Sequence, residues 1–265
     1  GGGTMKTLTL LQKEIHTGSL ILVNAAAGYR EDAQTPLVPV LESYPTIQMQ
    51  RRAAVLLSNL MDSFHGWQHI VPVSGWRAHA EQQQIWDDSV RDSGLDFTQK
   101  YVALPGHSEH QTGLAIDLGQ KQAHIDFIRP AFPYSGICQI FRDKAADYGF
   151  VERYPAGKEH LTGIAHEPWH FRYVGVPHAK IMVQNHLVLE EYLSFIKQYR
   201  YGQSAYPILW GGQDVVVSYL PCKGAYTCLE VDNTIPYSIS GNNTDGFILT
   251  EWRHTHANKT KLWGT

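Results

Sequence analysis

Between residues 46 and 64, apolar side chains recur as Ala53, Leu57, Leu60, Met61 and Phe64, at the three- and four-residue steps of a helix with one buried face. A second helix is predicted over residues 79–92. Residues 69–73 carry Ile70, Val71 and Val73 and stop at Gly75. They read as a short strand that delivers Trp76 and Arg77 at its exit, a usual place for site residues. Residues 113–119 alternate, with Leu114, Ile116 and Leu118 on one face and Ala115 and Asp117 on the other, as in a half-buried strand. Residues 137–148 suit a helix stopped by Gly149, residues 150–154 and 169–174 suit strands, and Pro177 opens a helical stretch to about residue 199.

After Gly202 the pattern changes to short β-rich runs, 215–220, 228–231 and 247–252, separated by glycine, proline and asparagine. The expected fold is α+β: a small central, mostly antiparallel sheet flanked by helices over residues 5–202, with a β-rich C-terminal extension over residues 203–265. No constellation in the extension points to chemistry. Residues 1–4, ahead of Met5, read as the scar of a cleaved tag.

Composition narrows the function classes. With 265 residues, 43% hydrophobic and 18% charged, the chain can bury a core, and no segment approaches the roughly 20 uninterrupted apolar residues of a membrane span. The 22 basic and 25 acidic residues include no basic run, which removes the electrostatic reason to expect nucleic acid or an anionic membrane as partner. After Leu10 and Leu11 come Gln12, Lys13 and Glu14, which interrupt the apolar stretch of a secretory signal. The expectation is a cytoplasmic protein with no membrane anchor and with Cys138, Cys222 and Cys228 as thiols; export would make Cys222 and Cys228 a possible pair.

The stretch Gly106-His107-Ser108-Glu109-His110-Gln111-Thr112-Gly113-Leu114-Ala115-Ile116-Asp117 places a histidine in a glycine-flanked loop and an aspartate on the following strand. Imidazole nitrogen and carboxylate oxygen suit zinc, and a catalytic site needs three protein ligands with one position left open. Glu167-Pro168-Trp169-His170 supplies the rest: His170 can close the triad of His110 and Asp117, leaving Glu167 as the base. Taken singly, each residue has an ordinary alternative: a surface histidine, a capping aspartate, a salt-bridged glutamate, a histidine satisfied within a sheet.

Taken together, Ser-x-His-x-x-Gly-x-Ala-x-Asp at Ser108, His110, Gly113, Ala115 and Asp117, followed by Glu-x-x-His at Glu167 and His170, resembles the paired signature of the VanY and VanXY D,D-peptidases. These belong to the metallopeptidases named after lysostaphin, D-Ala-D-Ala peptidases and sonic hedgehog. The likeness runs from about Ile70 to Gly175 and includes Tyr148-Gly149-Phe150-Val151-Glu152-Arg153-Tyr154-Pro155. It implies one zinc ion on His110, Asp117 and His170, Glu167 as catalytic base, and Arg77, within Ser74-Gly75-Trp76-Arg77, as the partner of the developing oxyanion. Ser108 and Gln82 are implied as partners of the substrate's terminal carboxylate.

The run His166-Glu167-Pro168-Trp169-His170 also fits the H-E-x-x-H expression of helical zinc proteases, which would make His166 a ligand. Pro168 argues against the continuous helix that this mechanism needs. The implied substrates are small peptides ending in D-Ala-D-Ala, both the dipeptide and the muramyl pentapeptide precursor, with glycopeptide resistance as the physiology. A pure D,D-carboxypeptidase and a peptidoglycan endopeptidase using the same site are the enzymatic alternatives. A structural zinc as in hedgehog is the non-enzymatic one, against which Glu167 and Arg77 both stand.

Overall fold

The computed structural model describes residues 4–30 and 35–255; Gly1 to Gly3 of the expected scar and residues 256–265 of the extension lie outside the described residues. In chain order the chain forms β1 (Met5–Leu11), β2 (Leu37–Pro39), β3 (Gln48–Gln50), α1 (Arg51–Asp62), β4 (Ile70–Ser74), α2 (His79–Tyr101) and β5 (Ala115–Gln120). There follow α3 (Gly136–Ala145), β6 (Phe150–Tyr154), α4 (Glu159–Thr162), β7 (Glu167–Tyr173), α5 (His178–Gln184) and α6 (Leu189–Ile196). The last strands are β8 (Tyr206–Trp210), β9 (Gln213–Pro221), β10 (Tyr226–Asp232), β11 (Tyr237–Gly241) and β12 (Gly246–Thr255). Two compact units divide the chain: Val23–Glu190, and a second made of Gly1–Leu22 with Glu191–Thr265.

The unit Val23–Glu190 is built on the antiparallel sheet β4-β5-β7-β6. The amphipathic α1 buries Ala53, Ala54, Leu57, Leu60 and Met61, as its periodicity requires, and α3 buries Cys138, Phe141 and Ala145. Phe132, Phe141 and Phe171 of β7 meet edge to face, with ring centroids 5.7, 5.4 and 4.7 Å apart, and close the core on that side of the sheet. The alternation along β5 is real, yet the strand is not half-buried: Ala115 to Gly119 are all buried. The face that would meet water in an ordinary antiparallel sheet is occupied by polar side chains packed against one another.

Other expectations shift in detail. The first helix starts at Arg51, after the short strand β3. The second does not stop at Asp92: it resumes beyond Gly94, whose φ of 84° and ψ of 166° break the helix, and runs to Tyr101. The stretch after Pro177 is two helices, α5 and α6, separated by a turn in which His186 adopts φ 54°.

The second unit holds the sheet β11-β12-β9-β8 and the pair β1-β10. Its division from the first differs from a boundary at residue 202, because Met5–Leu11 pairs with β10 from Met5 opposite Asp232 to Leu11 opposite Tyr226. Leu8 and Leu10 then pack on a cluster of Ile15, Leu220, Leu229, Val231, Phe247 and Leu249. The three cysteines are free thiols.

One close approach fixes the exit of β4. A Cβ on Gly75 would stand 2.4 Å from the Gln48 carbonyl oxygen, the same oxygen that accepts the Trp76 amide at 2.7 Å. Gly75→Ala therefore forces β3 away from β4, and overpacking of this kind costs about 1–3 kcal/mol. Urea unfolding of the two proteins should show that loss; equal midpoints and slopes would mean that β3 yields freely.

Candidate active site

Strand register assembles the site. In the sheet Ser74 lies opposite Asp117, and Asp117 opposite His170, so three neighbouring strands line up three polar side chains on one face. In a regular strand Glu167 and His170, three residues apart, would face opposite sides. Here the ladder is irregular between the pairs Glu152–Phe171 and Tyr154–Glu167, and Pro168 sits within that bulge. Proline is tolerated at bulges because the ladder there asks for no amide hydrogen. The irregularity lets Glu167 and His170 line the same pocket.

His110 arrives from the single turn Glu109–Thr112. The Ser108 hydroxyl accepts from the His110 amide at 3.2 Å, the Thr112 hydroxyl donates to the Glu109 carbonyl at 2.6 Å, and Gly113, with φ 75°, ends the turn. Ser108 and Gly113 of the motif thus shape the backbone around His110.

The donor atoms converge. The Nδ1 of His110 donates to the Gly75 carbonyl at 2.8 Å, which leaves its Nε2 facing Asp117 Oδ2 at 3.2 Å. His170 turns its other nitrogen inward: Nδ1 lies 2.9 Å from Asp117 Oδ1, and Nε2 lies 3.0 Å from Glu109 Oε1. One ligand atom from each of His110, Asp117 and His170 lies within 4.8 Å of the others, and all three residues are buried. Two imidazoles and a carboxylate, each nitrogen oriented by a carbonyl or carboxylate behind it, fit a zinc ion.

Electrostatics follows from burial and proximity. Burial, then the Arg77 guanidinium, pushes His110 down. Burial opposes the ionised form of Asp117, but His110 and His170 outweigh it and hold the carboxyl well below the usual range. Burial also disfavours the charged form of His170, yet its hydrogen bonds to Asp117 and Glu109 raise it to about 9, so a proton and a cation compete for this ring. Burial pushes Glu167 up to about 8, with His170 and Arg77 pulling it down and Asp117 and Glu109 pushing it up; no hydrogen bond within the protein contributes.

Arg77 is buried beside the donors. Its Nε donates to Ser74 Oγ at 2.9 Å, Nη1 to Gln82 Oε1 at 3.2 Å, and Nη2 lies 3.4 Å from Asp117 Oδ2. Gln82 donates in turn to the Ala103 carbonyl at 2.8 Å, so both ends of its amide are engaged. Ser108, Gln82, Arg77 and Glu167 all line the pocket that holds the three donors, with Trp169 and Ile128 among its apolar walls. His166 is placed elsewhere: it lies ahead of β7, outside any helix, with its Nε2 2.5 Å from the Tyr134 hydroxyl.

The residues that sequence reasoning missed form a buried charge network behind His170. Glu109 Oε2 accepts from Arg153 Nε at 2.8 Å and Arg172 Nη1 at 2.6 Å, and Arg153 makes a two-pronged contact with Glu190 at 2.7 Å on each prong. Burial opposes the Glu109 charge, but the two guanidiniums hold its carboxyl far below the usual range. The available signal was a pair of arginines inside otherwise apolar and aromatic strands, at Arg153 and Arg172. A charge at such a position needs a buried partner.

With this geometry in place, comparison with known proteins is direct. The family model VanY, D-alanyl-D-alanine carboxypeptidase, matches residues 46–176, the stretch that carries every donor and pocket residue singled out by the motifs. The chain is 46% identical over 127 residues to the bifunctional D-Ala-D-Ala dipeptidase and D-Ala-D-Ala carboxypeptidase VanXYC of Enterococcus gallinarum, across 48% of this chain and 67% of that protein. It is 29% identical over 268 residues to a D-alanyl-D-alanine carboxypeptidase of Enterococcus faecium, across 96% of this chain and 82% of that one. Among solved structures it matches the vancomycin resistance D,D-dipeptidase VanXYg in complex with a D-Ala-D-Ala phosphinate analog, with TM-score 0.93 and 50% identity over 95% of this chain and 100% of that one. A mutant of the D,D-pentapeptidase VanY from a VanB-type resistance cassette, in complex with Zn(II), matches with TM-score 0.56 and 31% identity over 66% of this chain and 98% of that one. Sharing half its residues with VanXYg along the whole of that chain, and the VanY pattern across its catalytic stretch, this chain belongs to the VanY family of D-alanyl-D-alanine carboxypeptidases and is of the VanXY type within it.

Proposed function

We propose that this chain is a zinc-dependent D,D-peptidase that cleaves the D-Ala-D-Ala dipeptide and removes the terminal D-Ala of muramyl pentapeptide precursors, thereby removing the target of vancomycin. The reading rests on one observation: the donors of His110, Asp117 and His170 converge on a pocket that also holds buried Glu167 and buried Arg77. A purely structural zinc site needs neither a base nor a guanidinium beside it.

Nε2 of His110, a carboxylate oxygen of Asp117 and Nδ1 of His170 would hold the zinc, which when bound would supply Lewis acidity for the carbonyl and for water near neutral pH. Glu167, pushed by burial to about 8, stands near the pH at which a carboxylate can take a proton from the attacking water and return it to the leaving amine. Arg77 is held by Ser74, Gln82 and Asp117. These contacts leave each terminal nitrogen a second N–H to direct at the substrate oxygen on which negative charge develops. Gln82 orients Arg77, while the Ser108 hydroxyl, which accepts from the His110 amide, keeps its own proton to donate to the substrate carboxylate. We place the reaction in the cytoplasm, where both precursors are assembled; fractionation of cells expressing the protein checks this. Among the described residues no helix is long and apolar enough to cross a membrane.

The direct experiment measures D-alanine released from the dipeptide and from a muramyl pentapeptide, with and without a zinc chelator. Release from both, abolished by chelation, is expected. Release from the pentapeptide alone would leave a pure carboxypeptidase, and clearing of isolated walls without release from either peptide would point to an endopeptidase.

Metal analysis separates the roles. His110→Ala, Asp117→Ala and His170→Ala should each lose zinc, whereas His166→Ala should keep it. Glu167→Ala should keep zinc and lose about 10²–10⁴-fold in turnover, the usual contribution of a positioned base; an empty site in that variant would make Glu167 a ligand.

Arg77→Lys keeps the charge but loses the planar fork that three side chains hold in place. It should cost nearly as much as Arg77→Ala, about 2.7–4 kcal/mol or roughly a hundredfold to a thousandfold in turnover, with zinc content little changed. Steady-state kinetics on the dipeptide decides the matter: a lysine variant within about threefold of wild type, less than ~0.7 kcal/mol, would reduce Arg77 to a source of diffuse charge.

A further inference from the structure

Both ring nitrogens of His170 meet a carboxylate oxygen, Nδ1 at 2.9 Å from Asp117 Oδ1 and Nε2 at 3.0 Å from Glu109 Oε1. A neutral imidazole has one N–H, and the carboxylate that receives it decides which nitrogen keeps a lone pair for a metal. The two carboxylates differ in what holds them. Asp117 also faces His110 Nε2, a nitrogen left without a proton because His110 donates from Nδ1 to the Gly75 carbonyl. Glu109 lines the same pocket but is fastened from behind: both Arg153 and Arg172 donate to its Oε2, and Arg153 is itself clasped by Glu190. Arg172 follows His170 by two positions on β7, so the two side chains project to the same face and one carboxylate can span them.

We infer that Glu109 is a positioning residue for the metal centre: it accepts the Nε2–H of His170, fixes the tautomer that turns the Nδ1 lone pair toward zinc, and is itself held in place by the buried pair Arg153 and Arg172. This rests on the reading of His110, Asp117 and His170 as the zinc ligands. The two histidines then carry opposite tautomers: His110 is protonated at Nδ1, which faces the Gly75 carbonyl at 2.8 Å, and His170 at Nε2, which faces Glu109 at 3.0 Å. The arginines have a second effect. By engaging Oε2 they leave Oε1 to accept from His170 and hold the direction of that hydrogen bond fixed.

The test begins with wild-type protein labelled with ¹⁵N in its histidines and loaded with zinc. Long-range ¹H–¹⁵N correlation reports which nitrogen of each ring bears the proton. Nε2–H on His170 together with Nδ1–H on His110 is expected; a zinc-loaded protein with His170 protonated at Nδ1 overturns the inference while leaving the metal centre intact. A wild type that takes up no zinc overturns both. Competition with a chromophoric chelator should then show Glu109→Ala binding zinc about 10- to 100-fold more weakly, the usual effect of losing such a partner. Glu109→Gln, which keeps an oxygen to accept from His170, should lose less. The Michaelis constant for the dipeptide in excess zinc should change far less than the zinc affinity. Unchanged zinc affinity in a folded Glu109→Ala protein overturns the inference; should that variant not fold, the wild-type spectrum and the Glu109→Gln affinity decide.

Discussion

The catalytic unit depends on one strand pairing, Asp117 of β5 opposite His170 of β7. A slip of that register by a single residue would carry the side chains of one strand to the opposite face and separate a carboxylate from an imidazole that now meet at 2.9 Å. The pairing is secured on the other face by apolar residues, Ile116 and Phe171, which are themselves opposite each other and buried. The aromatic cluster of Phe132, Phe141 and Phe171 therefore does more than fill space, because it fixes the only register in which the polar face can assemble. On the polar side the sheet departs from regularity at two places. A bulge beside Pro168 brings Glu167 round to His170, and a second irregularity between Pro72 and Ser74 precedes the exit that presents Arg77.

The interior that results is unusually charged for a protein core. Arg77, Glu109, Asp117, Arg153, Glu167, His170 and Arg172 are all buried. Groups of this kind are tolerated only when each finds partners of opposite sign with good hydrogen-bond geometry, since removing a charge from water costs several kcal/mol before any pairing is counted. Glu167 is the exception that proves informative. Among the described residues none gives its carboxylate a hydrogen bond, and burial raises its proton affinity. Its neighbours are satisfied and its own demand is left open, which is the arrangement expected of a group whose partner is a substrate or a water in transit.

Much of this was legible in the chain. The alternation over residues 113–119 marks β5 and puts Asp117 on the face away from Leu114, Ile116 and Leu118, and Pro168 stands against the continuous helix that His166 as a ligand would need. Local pattern failed where distant contacts decide. β5 is buried on its polar face too because Arg77, His110 and His170 gather at Asp117, which its own alternation does not reveal. Nothing local marks Glu109, between Ser108 and His110, because its partners Arg153, Arg172 and His170 are each more than forty positions away. The helix after Gly94 was lost because glycine normally ends a helix, and here another helical segment begins beyond it.

The pairing of Met5–Leu11 with β10 has a consequence for how the protein is made. The segment Val23–Glu190 is, topologically, an insertion between two parts of the other unit. On the ribosome, β1 emerges ahead of the inserted segment and waits without its partner while that whole segment is translated, a delay on the order of ten seconds or more at 5–20 residues per second. The catalytic unit, continuous in sequence, has all of its strands in hand before β10 exists. The inserted unit is therefore complete before the other can close its sheet, and through that interval β1 is an unpaired strand edge with Leu8 and Leu10 uncovered, a part of the nascent chain in need of protection from its neighbours.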